Sequence, residues 1–146
     1  LTDNPANYAA NHGWYIDLPD SGERSVTDAV IRGQHVFFNT MIPDNDPCES
    51  GGYGWLMVAK WINGGRPADV AFDTNNDSLL DADDSVSGEP PAGVGIMGIP
   101  TSPVILGDKR YTSTTQTTGG GSIEVSDVLE EDGPKTGRLS WEELNP

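Results

Sequence analysis

The sequence is poor in cysteine and in basic residues, and it has no long apolar run. Cys48 is the single cysteine among 146 residues, so no disulfide bond can close within this chain and no zinc site can be built from thiolates. No stretch approaches the length of an apolar membrane span. Lysine and arginine number 8 against 23 acidic residues, for a net charge of -15. Because phosphates bind proteins through Lys and Arg, this balance argues against nucleic acid and against anionic membrane surfaces as partners.

Cys48 has two interpretations. It is either an isolated thiol or one half of a disulfide bond to a missing part of a longer protein. The chain starts at Leu1 rather than Met, without a signal peptide, in the polar stretch LTDNPANYAANHG. We therefore expect the tail of a larger protein, a proteolytic fragment or one piece of a nicked structure.

Turn-forming residues are abundant, with 18 glycines and 11 prolines, while only 35% of the chain is apolar. This composition is typical of short strands and many turns rather than of long helices. We therefore predict an all-β chain and no helix. The predicted strands are residues 13–19, a hairpin of 26–32 and 34–42 that turns at Gly33, a buried strand at 55–61, a strand at 122–129 and a last strand or terminal segment at 138–144.

One hairpin pattern occurs twice. TDAVIRGQHVFFNT begins at Thr27 and TSPVILGDKRYTST begins at Thr101, an offset of 101 − 27 = 74 residues. The alignment also pairs Val30-Ile31 with Val104-Ile105, Gly33 with Gly107, Phe37 with Tyr111 and Thr40 with Thr114. A hairpin repeated at this scale favours a radial β architecture, above all a β-propeller, whose blades take about 40 to 50 residues. The alternative is that hairpins resemble one another because they use few residue types.

We predict a partial, modified β-propeller of about two blades. The 74-residue offset is longer than one blade, so we expect one blade with a long insertion that contains the acidic loop. The predicted organisation is an irregular stretch at 1–12, a first blade-like unit at 13–68, an acidic loop at 69–90, and a second blade-like unit with the C-terminus at 91–146. A small standalone β-sandwich is the alternative packing.

The acidic stretch FDTNNDSLLDADD, residues 72–84, carries oxygen donors at alternate positions. Calcium needs about six to eight oxygen ligands, which a tightly curved loop can supply in this way. Counted from position 1 of an EF-hand loop, the ligand positions fall on Asp73, Asn75, Asp77, the carbonyl of Leu79, Asp81 and Asp84. We predict Ca²⁺ here, and Mg²⁺ fits less well because it usually keeps several waters.

The loop departs from an EF-hand in its turn residue, its last ligand and its flanks. Position 6 is Ser78 where the sharp turn favours Gly, so a left-handed backbone there would cost about 1 kcal/mol. Asp84 is one methylene shorter than the usual Glu, and no helix flanks the loop. We prefer a nine-residue site ending at Asp81, with Asp84 as an additional candidate ligand. The alternative is an acidic turn on a solvated acidic surface.

No catalytic residue is predicted. His12 and His35 are the only histidines, and we expect His35 to point to solvent from the first hairpin. No serine lies in a nucleophile elbow, and no pair of carboxylates stands out as a glycosidase pair. Four tryptophans are expected in the core or between blades, with a sugar or receptor groove as the alternative: Trp14, Trp55, Trp61 and Trp141.

Seven segments occur in an order that resembles a known family. They are GWYIDLP, ERSVTDAVIRGQHVFFNTMIP, DPCESGG, WLMVAKWINGG, FDTNNDSLLD, GI…SPVIL and TGRLSWEEL. Together they cover roughly residues 13–144. This order is similar to the C-terminal region of the PilY/PilC family, the tip-associated adhesins and biogenesis factors of type IV pili.

The resemblance implies a modified β-propeller with calcium in a nine-residue EF-hand-like loop, at Asp73, Asn75, Asp77, Leu79 and Asp81. It implies a place at the pilus tip or cell surface, reached by export through the periplasm. The implied partners are the remainder of the propeller or full-length protein, minor pilins and the pilus machinery, and host or solid surfaces. In the family, calcium is linked to pilus extension and opposes retraction.

The chain is shorter than a family propeller and lacks the N-terminal adhesive domain that many members carry, so adhesion specificity does not carry over. Unpaired strand edges would need other blades, a partner or self-association. We keep open a calcium-bridged filament or surface-layer subunit, and a propeller-type extracellular enzyme.

Overall fold

The computed structural model describes residues 1–2, 4–44, 51–116 and 123–128. Cys48, Trp141 and the segment predicted at 138–144 lie outside these residues. The described part contains seven strands and one 3₁₀ turn, Ala82–Asp84. The strands are β1 (Val30–Arg32), β2 (His35–Pro43), β3 (Gly52–Lys60), β4 (Gly93–Met97), β5 (Val104–Leu106), β6 (Lys109–Ser113) and β7 (Ile123–Asp127). No helix among the described residues is long and apolar enough to cross a membrane.

The strands form two antiparallel sheets, which confirms the all-β prediction. The first sheet has the order β1-β2-β3-β4 and the second has the order β5-β6-β7. In each sheet, strands that are consecutive in the sequence are also neighbours in space. Two such sheets are consistent with the predicted pair of blade-like units.

The repeated hairpin has the same strand register in both sheets. Val30 pairs with Phe37 in the first sheet, and Val104 pairs with Tyr111 at the equivalent place in the second. The turn glycines, Gly33 and Gly107, have left-handed φ angles of 57° and 63°. Glycine adopts this conformation without the steric cost that a side chain would add. The sequence repeat is therefore a structural repeat.

The core lies where the first sheet packs on the second. Period-2 alternation places Phe37, Leu56 and Val58 on one face of the first sheet, and all three are buried. Ala71, Phe72, Ile96 and Val128 complete the buried cluster, and Ile105 of the second sheet packs against it. At equivalent positions of the repeat, the backbone N–H of Asp28 donates to the Ser102 hydroxyl at 3.1 Å. The two hairpins therefore lie side by side.

Arg110 of β6 carries a positive charge into this core. It is 1% exposed, and burial lowers its pKa to about 10, so it stays charged at neutral pH. Its guanidinium donates to the side-chain oxygen of Asn39 and to the carbonyls of Phe38 and Met57. It also lies 5.9 Å from the centre of the Phe72 ring, within cation–π range.

Two predictions about side chains and strands were wrong. Residues 13–19 form no strand, although Trp14, Ile16 and Leu18 alternate inward, because no neighbouring strand supplies backbone hydrogen bonds. His35 is 9% exposed rather than solvent-facing. It shares a face with Phe37, and that face is the one the second sheet covers.

The sequence did not reveal β4 or the placement of the tryptophans. Glycines interrupt β4, and a Cβ at Gly93 would lie 2.4 Å from the Met57 sulfur, so the Met57 side chain would have to shift. Trp14 and Trp55 are half-buried and Trp61 is 48% exposed, so these three lie outside the core cluster. Trp14 belongs to the N-terminal segment, which lies over the outer face of the first sheet beside Trp55. Its ring N–H donates to the carbonyl of Trp61 at 2.8 Å.

We predict that Arg110→Ala lowers the free energy of unfolding by about 2–4 kcal/mol. The substitution removes the donor that Asn39 accepts from and leaves a cavity beside Phe37 and Phe72. Arg24→Ala is the matched control, because Arg24 is exposed and its side chain donates to the carbonyl of Gly22. The control should change stability by less than about 0.5 kcal/mol. Urea unfolding of both variants measures the difference, and equal losses would refute the role given to Arg110.

Candidate metal centre

The acidic loop lies in the long connection between β3 and β4, beside the core. Val70, Ala71 and Phe72 precede it and are buried at 9%, 1% and 2% exposure. The next residue, Asp73, is half-buried, and the loop then turns outward to solvent. The loop is thus an insertion between strands of one sheet, fixed at its start by apolar packing.

Asp73 organises the first half of the loop through its carboxylate. One oxygen accepts from the backbone N–H of Asn76 at 2.6 Å and of Asp77 at 3.3 Å. The other accepts from the N–H of Ser78 at 2.8 Å. Asp and Asn stabilise turns in this way because their short side chains reach nearby backbone donors. These bonds bend residues 73–78 around the Asp73 side chain.

Two left-handed residues produce the tight curvature of the loop. Asn76 has a φ of 63° and Ser78 a φ of 68°. Asn tolerates this conformation better than most residues. Ser78 is position 6 of the EF-hand count, so the structure has the left-handed backbone that the sequence predicted there, with its cost of about 1 kcal/mol.

The middle candidate ligands also bond to neighbouring backbone. The Asn75 side-chain oxygen accepts from the N–H of Asp77 at 2.9 Å, and an Asp77 carboxylate oxygen accepts from the N–H of Leu79 at 2.8 Å. Asp77 and Asp81 are exposed. Leu79 is 59% exposed, so its side chain plays no part in the core and only its carbonyl suits a ligand role.

Asp84 closes the loop from inside. It is 0% exposed, and its carboxylate accepts from the N–H groups of Thr74 at 2.6 Å, Asn75 at 3.2 Å and Asp81 at 3.3 Å. Burial alone would raise the pKa of this carboxyl, but the hydrogen bonds from Thr74, Asp81 and Asn75 outweigh it and lower the pKa. Asp84 and Asp81 also form a capping box around the 3₁₀ turn.

The structure places the candidate ligands on one curved loop without bringing their carboxylates together. Among residues 1–2, 4–44, 51–116 and 123–128, no group of three Asp, Glu, His or Cys side chains forms a metal-ligating cluster. The donors nevertheless fit calcium in type, because each carboxylate oxygen has two lone pairs and can accept an N–H and contact a cation together. Asp84 differs from the others, since it is fully buried and already accepts from three backbone N–H groups.

Sequence reasoning missed the role of Asp84 as an internal clamp. Thr74 contributes to that clamp, because its hydroxyl also bonds the Asp84 carboxylate at 3.2 Å. The available signal was the capping-box pattern of two acidic residues three positions apart, Asp81 and Asp84. Spacing alone could not distinguish a carboxylate that binds a cation from one that binds backbone N–H groups.

These features define a class: an all-β protein with two stacked antiparallel sheets and an acidic, EF-hand-spaced loop inserted in one of them.

No protein-family model and no solved structure matches the chain. A type IV pilus biogenesis factor PilY1 homolog of Xylella fastidiosa is 31% identical over 147 residues, which is 97% of this chain and 12% of that protein. PilY1 of Pseudomonas aeruginosa is 29% identical over 83 residues, 54% of this chain and 7% of that protein.

The chain belongs to the PilY family, which confirms the resemblance found in the sequence. A further match to a PilY1 homolog of Xylella fastidiosa reaches 39% identity over 71 residues, 44% of this chain and 5% of that protein. The chain therefore spans a small part of the length of these relatives.

We predict that Asp84→Ala destabilises the chain by about 1–3 kcal/mol in the presence of EDTA, because three backbone N–H groups lose their acceptor. Asp83→Ala is the control: Asp83 is exposed and adjacent, and the same charge is removed. It should have an effect below about 0.5 kcal/mol. Urea unfolding midpoints measure both, and an Asp84 variant as stable as the Asp83 variant would exclude the clamp.

Proposed function

We propose that the chain is a calcium-binding, non-catalytic module of a type IV pilus biogenesis protein. One observation carries the calcium assignment: Asp73 bends a loop with EF-hand ligand spacing into a tight turn, in a chain of the PilY family. The names of the PilY1 relatives support the pilus assignment. The proposed site uses Asp73, Asn75, Asp77, the carbonyl of Leu79 and Asp81, with Asp84 as a buried support rather than a ligand.

Calcium would supply charge neutralisation and order. Asp73, Asp77 and Asp81 lie within nine residues, and three carboxylates drawn to one point repel each other unless a cation lies between them. In the structure each carboxylate instead accepts from nearby backbone N–H groups. We expect the exposed Asp77 and Asp81 to turn toward Asp73 when the cation binds, while the clamp of Asp84 on Thr74 keeps the loop closed.

The position of the loop connects cation binding to the packing of the sheets. Phe72 immediately precedes Asp73, is 2% exposed and lies against the guanidinium of Arg110 in β6. A cation that holds Asp73 in place therefore also restrains Phe72, whose side chain lies in the contact between the two sheets. We expect calcium to stabilise the stacked sheets as well as the loop.

The proposed biological role follows from this coupling. Ordered by calcium, the module would present a fixed surface to pilins or to the pilus machinery and so support pilus assembly, control of retraction and surface adhesion. Such a role places the module at the pilus tip or cell surface. Calcium at extracellular concentrations would then keep the module in its stable form.

We predict that saturating calcium raises the melting temperature of the EDTA-stripped chain by about 5–10 °C. A cation at 100 times its Kd stabilises the folded state by about 2.7 kcal/mol, and each kcal/mol shifts a chain of this size by about 2–4 °C. Asp81→Asn should abolish most of this rise, since it removes a charged ligand while Asn preserves the N-cap of the 3₁₀ turn.

Asp83→Asn is the matched control for that measurement, because it removes the same charge two residues away from Asp81. The control should keep the full rise in melting temperature, and magnesium should give a smaller one. An equal loss in both variants would mean that general charge screening, not a site at Asp81, produces the effect. A full rise in Asp81→Asn would refute the ligand assignment.

A further inference from the structure

A groove of about 870 Å³ lies between the N-terminal segment, residues 4–19, and the outer face of the first sheet. Trp55 and Gly93 line the groove from the sheet, while Trp14 and Tyr15 line it from the N-terminal segment. No residue of the acidic loop is among the lining residues, so the groove is separate from the proposed calcium site. A groove of this volume can hold a ligand of several rings.

Two tryptophan rings in the groove lie flat on glycines. A Cβ at Gly95 would be 3.7–4.0 Å from three adjacent atoms of the Trp55 ring, and a Cβ at Gly64 would be 2.4–3.0 Å from three adjacent atoms of the Trp14 ring. Such similar distances place each glycine over the face of its ring rather than at the edge. Each ring therefore has one face on backbone, and the opposite face is left for the groove.

Hydrogen bonds fix the orientation of both rings. The indole N–H of Trp14 donates to the carbonyl of Trp61 at 2.8 Å, and that of Trp55 donates to the Asp20 carboxylate at 3.4 Å. A ring held in this way loses little further freedom when a ligand packs on it. The two tryptophans are therefore rigid, flat contact surfaces.

Tyr15 adds a third aromatic ring, at the edge of the groove. It is 84% exposed, although it lines the groove directly beside Trp14. A tyrosine this exposed contributes little to the core, and an aromatic ring left open to solvent beside other apolar groups is typical of a binding surface.

The polar side chains of the groove are amides and carboxylates. Asn11, Asn63, Asp17 and Glu23 line it, and no lysine, arginine or histidine does so in the part of the chain that the structure describes. A ligand with phosphate, sulfate or carboxylate groups would find no cationic side chain here, and a chain of net charge -15 would repel it. The groove therefore suits a neutral or a cationic ligand.

The carboxylates of the groove fit hydroxyl groups better than a buried cation. Glu23 already accepts at both oxygens, from the Thr40 hydroxyl at 2.5 Å and from the backbone N–H of Asp20 at 3.3 Å. Asp17 is exposed, so water screens its charge and weakens its attraction for a cation. Its oxygens still have lone pairs for hydroxyl donors. These observations favour a neutral ligand.

A pyranose sugar makes the two kinds of contact that the groove offers. Its C–H groups form an apolar, weakly positive face that packs on the negative face of an aromatic ring, and its hydroxyls lie around the edge. We propose that the groove binds a neutral oligosaccharide. Sugar rings stack on Trp14, Tyr15 and Trp55, and sugar hydroxyls bond to Asp17 and Asn11. This binding does not use the proposed calcium ligands.

The test is saturation-transfer NMR of the calcium-loaded chain with neutral tetrasaccharides of glucose, mannose, galactose or N-acetylglucosamine. At least one should bind, and calorimetry should then give one site per chain. Tetragalacturonate, the acidic counterpart of the galactose tetramer, should not bind. The affinity for the neutral sugar should be the same in low and high salt, because no charge pair forms.

Tyr15→Ala should weaken binding of that sugar by about tenfold, because one stacking surface is lost. Its exposure means that folding should be retained, which circular dichroism checks. Trp55→Leu is the second variant, since it keeps an apolar side chain but removes the flat ring, and it should weaken binding similarly. Tyr111→Ala is the matched control, because Tyr111 is a 36% exposed tyrosine of the second sheet outside the groove. It should bind like the wild type.

Asp17→Asn separates a sugar from a cation. The amide keeps an oxygen acceptor and loses the charge, so sugar binding should stay within about threefold of wild type. No binding of any neutral tetrasaccharide would overturn the proposal, and so would full binding in both Tyr15→Ala and Trp55→Leu. Binding that is lost in Asp17→Asn and falls steeply with salt would instead assign the groove to a cationic ligand.

Discussion

The burial of one guanidinium group between two sheets is the constraint on which the arrangement of this chain depends. Arg110 donates to the Asn39 side chain and to two carbonyls of the first sheet, and its Nε finds no partner among the described residues. Taking a charge out of water is costly unless it gains hydrogen bonds and favourable contacts. The rings of Phe37 and Phe72 supply part of that compensation. The second sheet can satisfy Arg110 only where those acceptors and rings lie, so this residue specifies how the sheets stack.

The acidic loop begins at one of these rings. Phe72 is held in the core, Asp73 bends the chain immediately after it, and Asp84 ties the far end back to Thr74. The loop therefore has an ordered backbone built from carboxylates that accept from N–H groups. It also concentrates negative charge in a chain already at -15. A divalent cation relieves that repulsion without dismantling the backbone turn, which is the physical basis for proposing calcium.

The hairpins and the acidic loop could be predicted from the sequence, because each depends on residues that lie close together in the chain. The turn glycines and alternating apolar residues located both copies of the hairpin, and the Asp73 spacing located the loop with its left-handed Ser78. The errors have a non-local cause. Residues 13–19 alternate correctly but lack a hydrogen-bonded neighbour, and His35 is buried because a distant sheet covers its face. The glycines of β4 concealed that strand, and a side chain at Gly93 would displace Met57 on the neighbouring strand. Spacing predicted candidate ligands on one loop, whereas the inward orientation of Asp84 depends on how the loop closes.

Calorimetric titration of the EDTA-stripped wild-type chain with calcium, with magnesium as the comparison, tests the central claim most directly. The account predicts one site per chain that binds calcium tightly and magnesium weakly, because a short loop of carboxylate and carbonyl oxygens suits the larger and more flexible coordination of calcium. No heat of binding for calcium, or equal binding of both cations without a defined stoichiometry, would contradict it. Residues 72–84 would then be an acidic turn ordered only by its own backbone hydrogen bonds.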